Sequence, residues 1–460
     1  MVNRLLPFTT ERLLHILRSQ PPANSYLVGF SGGADSTALL FAIKQLDALL
    51  KTPIRAIHVN HGIHADANQW QEHCVNVCKQ HDIPLVCQKI SLAGNTGKGM
   101  EAEARHLRYQ AMAALLEPGD QLLTAHHADD QAETLLLNLM RGSGVDGLAA
   151  MPISRPLDPG LLLRPLLDFE NIALINYLQE NDIAWLEDPS NHCVNHDRNF
   201  IRHEILPLLE GRWQGVNKRM LLTRNAMADA RLLLERLADE YLTQYLRHPT
   251  VLQVAAQLKQ DPALFKLAIR HWLKQSGLPS IPLRSLESLY GQVFGSVEGH
   301  KVRIQWGGCM LRLYQNQLWL QHDAEVSNCP DINWPDDQSC IELGNDVGKL
   351  SLDGLNIYGP PPGFRVSNRQ SCGDSTIKQG GHHKRLKKLF QTAGIPGWLR
   401  DSIPICLLNG ELVAIGDWCF DDQFATWMSE NNIKLTWKPQ NPLLQFVLRN
   451  CMVDPDDMVS

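Results

Sequence analysis

The amino-acid sequence predicts an α/β protein, with an N-terminal doubly wound parallel sheet followed by a mainly helical domain and a small α+β C-terminal domain. Three observations predict it. Short apolar runs alternate with helical stretches up to about residue 200, a Gly-rich turn follows the first run, and the strand signal thins out after Arg212. Strands alternating with helices imply βαβ units and a parallel sheet covered on both faces. Such sheets bind ligands beyond the carboxyl ends of their strands, so the strand-to-helix loops are the place to look for chemistry.

The chain starts with charges scattered among apolar positions, which suits a short amphipathic helix better than a signal peptide. Residues 25–30 (SYLVGF) form the first expected strand, followed by the Gly-rich turn and an apolar helix over 36–50. Strands are expected at 54–60, 85–90 and 120–125, with helices over 101–116 and 129–140. Beyond Arg212, residues 216–246, 261–277 and 283–294 have helical periodicity. Residues 326–340 are irregular and rich in Pro and Asp, as a linker would be. Further on, Asn409-Gly410 separates two apolar runs, and Asn-Gly fits the type I′ turn of a hairpin. The expected domains are 1–215, 216–325 and 356–460, with 326–355 as the linker region.

At 44% hydrophobic and 20% charged, the 460-residue chain can bury sizeable cores. Its 43 basic and 49 acidic residues exclude a general polycation, although phosphate binding depends on local patches and not on net charge. No apolar run reaches the ~18 residues that a membrane span needs. Eleven cysteines without a C-x-x-C pair suggest reduced thiols and a cytoplasmic protein.

The turn after the first strand reads Ser31-Gly32-Gly33-Ala34-Asp35-Ser36, then Thr37. Two glycines let the backbone curl so that its N–H groups face an anion, and the following helix adds its positive end. The Ser36 and Thr37 hydroxyls can donate to phosphate oxygens. Asp35 would repel a bound triphosphate unless a cation lay between them, which assigns it to Mg²⁺. The competing reading is a Gly-turn with an Asp helix cap. The turn matches neither G-x-x-x-x-G-K-[ST] nor G-x-G-x-x-G.

SGGADS between a strand and a helix resembles the signature of the PP-loop ATP pyrophosphatases, a Rossmann-like class that cleaves ATP to AMP and pyrophosphate. Further stretches resemble one family of that class, the tRNA(Ile)-lysidine synthetases. They are His58-Val-Asn60-His61-Gly62; Ala125-His126-His127-Ala128-Asp129-Asp130-Gln131-Ala132-Glu133, running on to Arg141-Gly142; Glu101-Ala-Glu-Ala-Arg105; and Asp188-Pro-Ser190-Asn191 followed by Arg198 and Arg202. A weaker likeness continues at residues 384–400.

The resemblance implies an adenylated-tRNA intermediate, and lysine addition to the wobble cytidine of an isoleucine tRNA with a CAU anticodon. Free L-lysine, ATP and Mg²⁺ take part, with no membrane and no obligate protein partner. It implies that residues 31–37, His58, Asn60, His61, Arg141 and Gly142 hold ATP. Asp130 and Glu133, on one helical face at i and i+3, would hold lysine. His126, Asp35, Arg198 and Arg202 complete the catalytic set. Arg105, Lys384, Arg385, Lys387 and Lys388 would touch tRNA, the last four from a helix with an apolar stripe of Leu386, Leu389, Phe390 and Ala393. The blander readings are helix capping by the acidic residues and solvated basic faces. The insert holding His192, Cys193 and His196 suits a polar loop better than a metal site. A PP-loop tRNA thiolase and a non-catalytic tRNA-binding protein are the alternatives.

Overall fold

The computed structural model describes residues 7–60, 62, 66–90, 100–187, 197–295, 302–322, 326–354, 359–373 and 375–451. The chain divides into two compact units, Met1–Leu233 and Leu234–Ser460.

In the first unit, strands β1 (Tyr26–Gly29), β2 (Ile54–Asn60), β3 (Leu85–Lys89), β4 (Gln121–Leu123), β5 (Ser154–Leu157) and β6 (Gly160–Leu163) form one sheet in the order β3-β2-β1-β4-β6-β5. All pairings are parallel except that of edge strand β5 with β6. Helices α1 (Thr10–Arg18), α2 (Ala34–Gln45), α3 (Asp47–Leu50), α4 (Ala67–Gln80), α5 (Met100–Ala113), α6 (Ala128–Met140), α7 (Val145–Leu148), α8 (Asn171–Glu180), α9 (Asp197–Phe200) and α10 (Leu206–Arg212) accompany it, with the first part of α11 (Val216–Tyr245), whose residues from Leu234 on belong to the second unit.

Successive strand residues point to opposite faces, which sorts the core into two layers. Tyr26, Val28 and Phe30 pack with Leu13 and Leu17 of α1, Leu39 and Ile43 of α2, and Leu174 and Leu178 of α8. Leu27, Ile57, Leu122 and Leu162 pack on the opposite face with Met112 of α5 and with Leu116. Such apolar strands are what a sheet buried on both faces requires. The four expected strands are present. The β5–β6 hairpin is an addition, its strands separated only by Asp158-Pro159.

In the second unit the stretch expected to be mainly helical does hold helices Pro262–Gln275 and Leu283–Gly295. It also carries a five-stranded antiparallel sheet built from Leu246–His248, Val251–Gln253, Gln317–His322, Cys309–Tyr314 and Arg303–Trp306. Its tight turns are Gly307-Gly308 and Gln315-Asn316, all four residues at positive φ, and such turns join strands too short to show a periodicity of their own. Residues 326–355, expected as a linker, carry strands Ile332–Asn333, Cys340–Glu342 and Lys349–Gly354. There Trp334, Ile341, Val347, Leu350 and Leu352 are buried in the C-terminal core.

The Asn409-Gly410 hairpin is as expected, pairing Ile405–Leu408 with Glu411–Ile415, with φ of 53° and 88° at the turn. The expected basic helix is shorter. It spans Leu386–Thr392, with Leu386 and Phe390 buried, while Lys384 and Arg385 end the strand His382–Arg385. Lys384, Arg385, Lys387 and Lys388 are all exposed. None of the described cysteines is in a disulfide. No described helix is long and apolar enough to cross a membrane.

Candidate active site

The site gathers where the sheet alternation predicts, at the carboxyl ends of β1, β4 and β6. Gly32 adopts φ +86°, and a Cβ there would lie 3.1 Å from Leu186 Cδ1 and 3.2 Å from Cys74 Sγ. The loop therefore needs glycine for both its backbone and its neighbours. Its outer wall is fixed by Leu186, whose N–H donates to Gly32 O at 2.9 Å. Ser31 Oγ and Ser36 Oγ lie 3.0 Å apart across the turn. Gly33 caps α2 without a side chain, which leaves the first N–H groups of the helix aimed outward. The Ser36 and Thr37 hydroxyls donate to Gly33 O at 3.1 and 2.9 Å, so in this structure they brace the turn.

Asp35 stands in the first turn of α2. Asn171, at the start of α8, donates to Asp35 Oδ1 at 2.6 Å. His127 Nε2 lies 3.5 Å from Asp35 Oδ2 and 3.5 Å from Asp130 Oδ2, and its Nδ1 lies 3.4 Å from Asp129 Oδ2. Burial opposes charge on His127, but Asp130, Asp129 and Asp35 outweigh it and hold its pKa well above the ordinary imidazole value. Asp129 in turn accepts the Asn171 backbone N–H and the Asn217 side chain, each at 2.8 Å, which ties α8 and α11 to the same point.

Asp130 and Glu133 share one face of α6, as their spacing requires. Arg198 of α9 donates to Glu133 Oε2 at 2.6 Å and to Asp130 Oδ1 at 2.7 Å. Arg202, in the π-helical turn Ile201–Ile205, donates to Glu133 Oε1 at 2.5 Å and to Asp130 Oδ1 at 3.2 Å. The Glu133 side chain is 0% exposed. A buried carboxylate persists only with such charge-assisted partners. Burial would raise the pKa of Asp130, yet His127, Arg198 and His126 overcome this and pull it down to about 2. His126, with Nδ1 3.0 Å from Thr124 Oγ1, behaves oppositely to its neighbour. Burial, opposed by Asp130 but reinforced by Arg164, Arg105 and Arg198, lowers its pKa to about 3, so the imidazole is neutral.

The other expected site residues lie as follows. His58 is buried on β2 with Nδ1 3.0 Å from Phe30 O, and burial lowers its pKa. Asn60 is turned to its own loop, donating to Gln71 at 3.0 Å and accepting the Gly62 N–H at 3.0 Å. His61 and residues 188–196 lie outside the described residues. Arg141 and Gly142 lie at the far end of α6, about 16 Å along its axis from Asp130. Arg105 is exposed on α5 with its guanidinium 5.9 Å from the Tyr109 ring. Asn171, Asn217 and Arg164 were not singled out in the sequence. An isolated asparagine carries no spacing signal, and the one visible hint was Arg164-Pro165 directly after an apolar run.

A glycine-rich turn feeding a helix N-terminus, at the switch of a parallel sheet, is a phosphate site shared by several nucleotide-binding classes, and the class here is set by the PP-loop domain family, which matches residues 7–209. The TilS substrate binding domain matches residues 252–319 and the TilS substrate C-terminal domain residues 364–437. The tRNA(Ile)-lysidine synthase of Methylococcus capsulatus is 37% identical over 436 residues, covering 91% of this chain and 97% of the relative. That of Alkalilimnicola ehrlichii is 37% identical over 422 residues, covering 90% and 93%, and that of Coxiella burnetii 32% over 423 residues, covering 91% and 94%. The chain belongs to the tRNA(Ile)-lysidine synthase family.

Proposed function

We propose that this chain adenylates the wobble cytidine of the CAU-anticodon isoleucine tRNA with ATP and then ligates free L-lysine to C2 of that base, forming lysidine. The observation that supports this reading is that the phosphate loop and the carboxylate–arginine cluster lie side by side, joined by His127 between Asp35 and Asp130. Nucleotide activation and amine capture need these two chemistries side by side.

In the first half-reaction the C2 oxygen of the cytosine attacks the α-phosphorus of ATP, and pyrophosphate leaves. The α2 N-terminus and the loop N–H groups hold the departing phosphates. Asp35, a hard oxygen donor whose side chain is 35% exposed, fits a Mg²⁺ held by one carboxylate together with substrate phosphates. That ion, when bound, supplies charge neutralisation between the carboxylate and the triphosphate. Asn171 and His127 fix the direction in which the carboxylate points.

In the second half-reaction the ε-amine of lysine, freed of its extra proton, forms a bond to C2. AMP leaves with the former C2 oxygen. Asp130 and Glu133 orient the lysine, and Arg198 and Arg202 exchange carboxylate for the phosphate charge of the leaving AMP. The domains that match residues 252–319 and 364–437 hold the body of the tRNA, with Lys384, Arg385, Lys387 and Lys388 as backbone contacts. Mg²⁺, lysine and the cytoplasm belong to this reading.

Radiolabelled lysine, ATP and the cytidine-bearing tRNA test it directly. Label is expected in the tRNA, together with release of AMP and pyrophosphate. Sulfur transfer without lysine incorporation would make the chain a thiolase, and tRNA binding with neither would make it a non-catalytic binder. Asp35→Asn is expected to stop pyrophosphate release and leave tRNA affinity in place.

A further inference from the structure

Among the described residues, no carboxylate lies within ion-pair distance of Arg105, Arg155 or Arg164. Arg164 is the most exacting case, being only 4% exposed. Its Nη1 donates to Pro152 O at 2.9 Å, and its Nε is buried without a partner. A buried guanidinium with neither a counter-charge nor a full set of acceptors is unfavourable in the free protein, and one usual reason for keeping it is an anion that arrives with a ligand.

Sheet register places it. Leu163 of β6 pairs with Leu123 of β4, and the Thr124 N–H donates to Leu163 O at 3.0 Å, so Arg164 follows β6 beside Thr124, whose hydroxyl meets His126. Two residues on from Leu162, Arg164 faces the α5 side of the sheet, the side of Tyr109. The Tyr109 ring carries the Arg155 guanidinium at 5.3 Å and that of Arg105 at 5.9 Å. Burial, with Arg155 and Arg105 acting in the same direction, lowers the Arg164 pKa even though Tyr109 favours the charge.

We propose that Arg164, Arg155 and Arg105 form, around Tyr109, a phosphodiester-binding site for the RNA strand that brings the target base to His126. This rests on the reading of the substrate as a tRNA. The guanidinium fork matches a phosphate in two parallel hydrogen bonds. The cluster is set to one side of the phosphate loop. Strand β6 lies two positions from β1 in the sheet, about 10 Å across, whereas the phosphate loop follows β1 itself.

The test uses the full-length chain, a transcribed isoleucine tRNA with a CAU anticodon, and ATP. For an Arg105→Ala/Arg155→Ala double variant, tRNA Kd is expected to rise at least tenfold. The slope of log Kd against log salt is expected to fall by about 0.7 for each phosphate that the variant no longer binds, with the KM for ATP unchanged. Arg164→Met, which keeps bulk and removes the charge, is expected to weaken tRNA binding and raise the Tm of the free enzyme. A raised KM for ATP with an unchanged salt slope would assign the cluster to ATP and overturn the proposal. So would a lowered Tm in Arg164→Met with normal tRNA binding, which would make Arg164 a structural brace. If wild type incorporates no lysine while the variants still show the reduced salt slope, the enzymatic reading fails and the RNA site stands.

Discussion

Arg198 and Arg202 each touch both Asp130 and Glu133, whereas Arg105, Arg155 and Arg164, around the same end of the sheet, touch no carboxylate among the described residues. The first group is neutralised within the protein and gives the cleft a fixed geometry before any substrate arrives. The second leaves its charge outstanding and supplies attraction. His126 lies within the field of both groups: Arg164, Arg105 and Arg198 push it toward the neutral form, and Asp130 opposes them. The difference shows that an arginine near an active site acquires its role from its partner and not from its charge.

Removing one side of the neutralised group should have the largest effect. Glu133→Ala leaves two guanidiniums sharing one carboxylate in a buried place, and a loss of roughly 3–5 kcal/mol is expected in denaturant unfolding. A smaller loss, near that of a surface substitution, would mean that the arginines swing out to water. Glu133→Gln keeps the shape and is expected to affect lysine more than folding. Removing a charge-assisted hydrogen bond costs about 1.5–3 kcal/mol, roughly a tenfold to hundredfold rise in the lysine KM. AMP-bearing tRNA should then accumulate from α-labelled ATP; failure to adenylate would move Glu133 into the ATP site.

The neutralised group should also be visible in acid. The pKa of Asp130 in the folded protein, about 2, lies below the ordinary carboxylate value, so its stabilising contribution is complete above about pH 4 and is lost as pH falls toward 2. The contribution amounts to about 2 kcal/mol, and Asp130→Asn should flatten that part of the stability curve. A variant with wild-type acid sensitivity would show that other carboxylates set it. At the small end, Arg105→Ala removes an exposed guanidinium that, among the described residues, meets an aromatic ring and no carboxylate, and unfolding should shift by about 0.5–1 kcal/mol or less. A larger shift would place Arg105 among the internally neutralised arginines.

Much of the neutralised group was legible in the sequence, because helical spacing alone puts Asp130 with Glu133 on one face and Arg198 with Arg202 one turn apart. That the two pairs would meet was not, since 65 residues separate Arg198 from Glu133 and no periodicity reports tertiary contact. Arg155 and Arg164 were invisible for a related reason: their hairpin has strands of only four residues, too short for a pattern. The C-terminal Asn409-Gly410 turn was readable because turn chemistry is local, while the strands of 326–355 hid among the prolines and aspartates that bound them.

The two adjacent imidazoles have a consequence for measurement. His126 gives up its proton near pH 3 and Asp130 near pH 2, while His127 keeps its proton well past the ordinary imidazole range. From about pH 4 through the ordinary imidazole range these three groups of the free protein therefore keep a constant charge. Across that interval these three groups add no slope of their own to log kcat/KM for lysine, so a slope seen there belongs to other groups, the incoming amine among them.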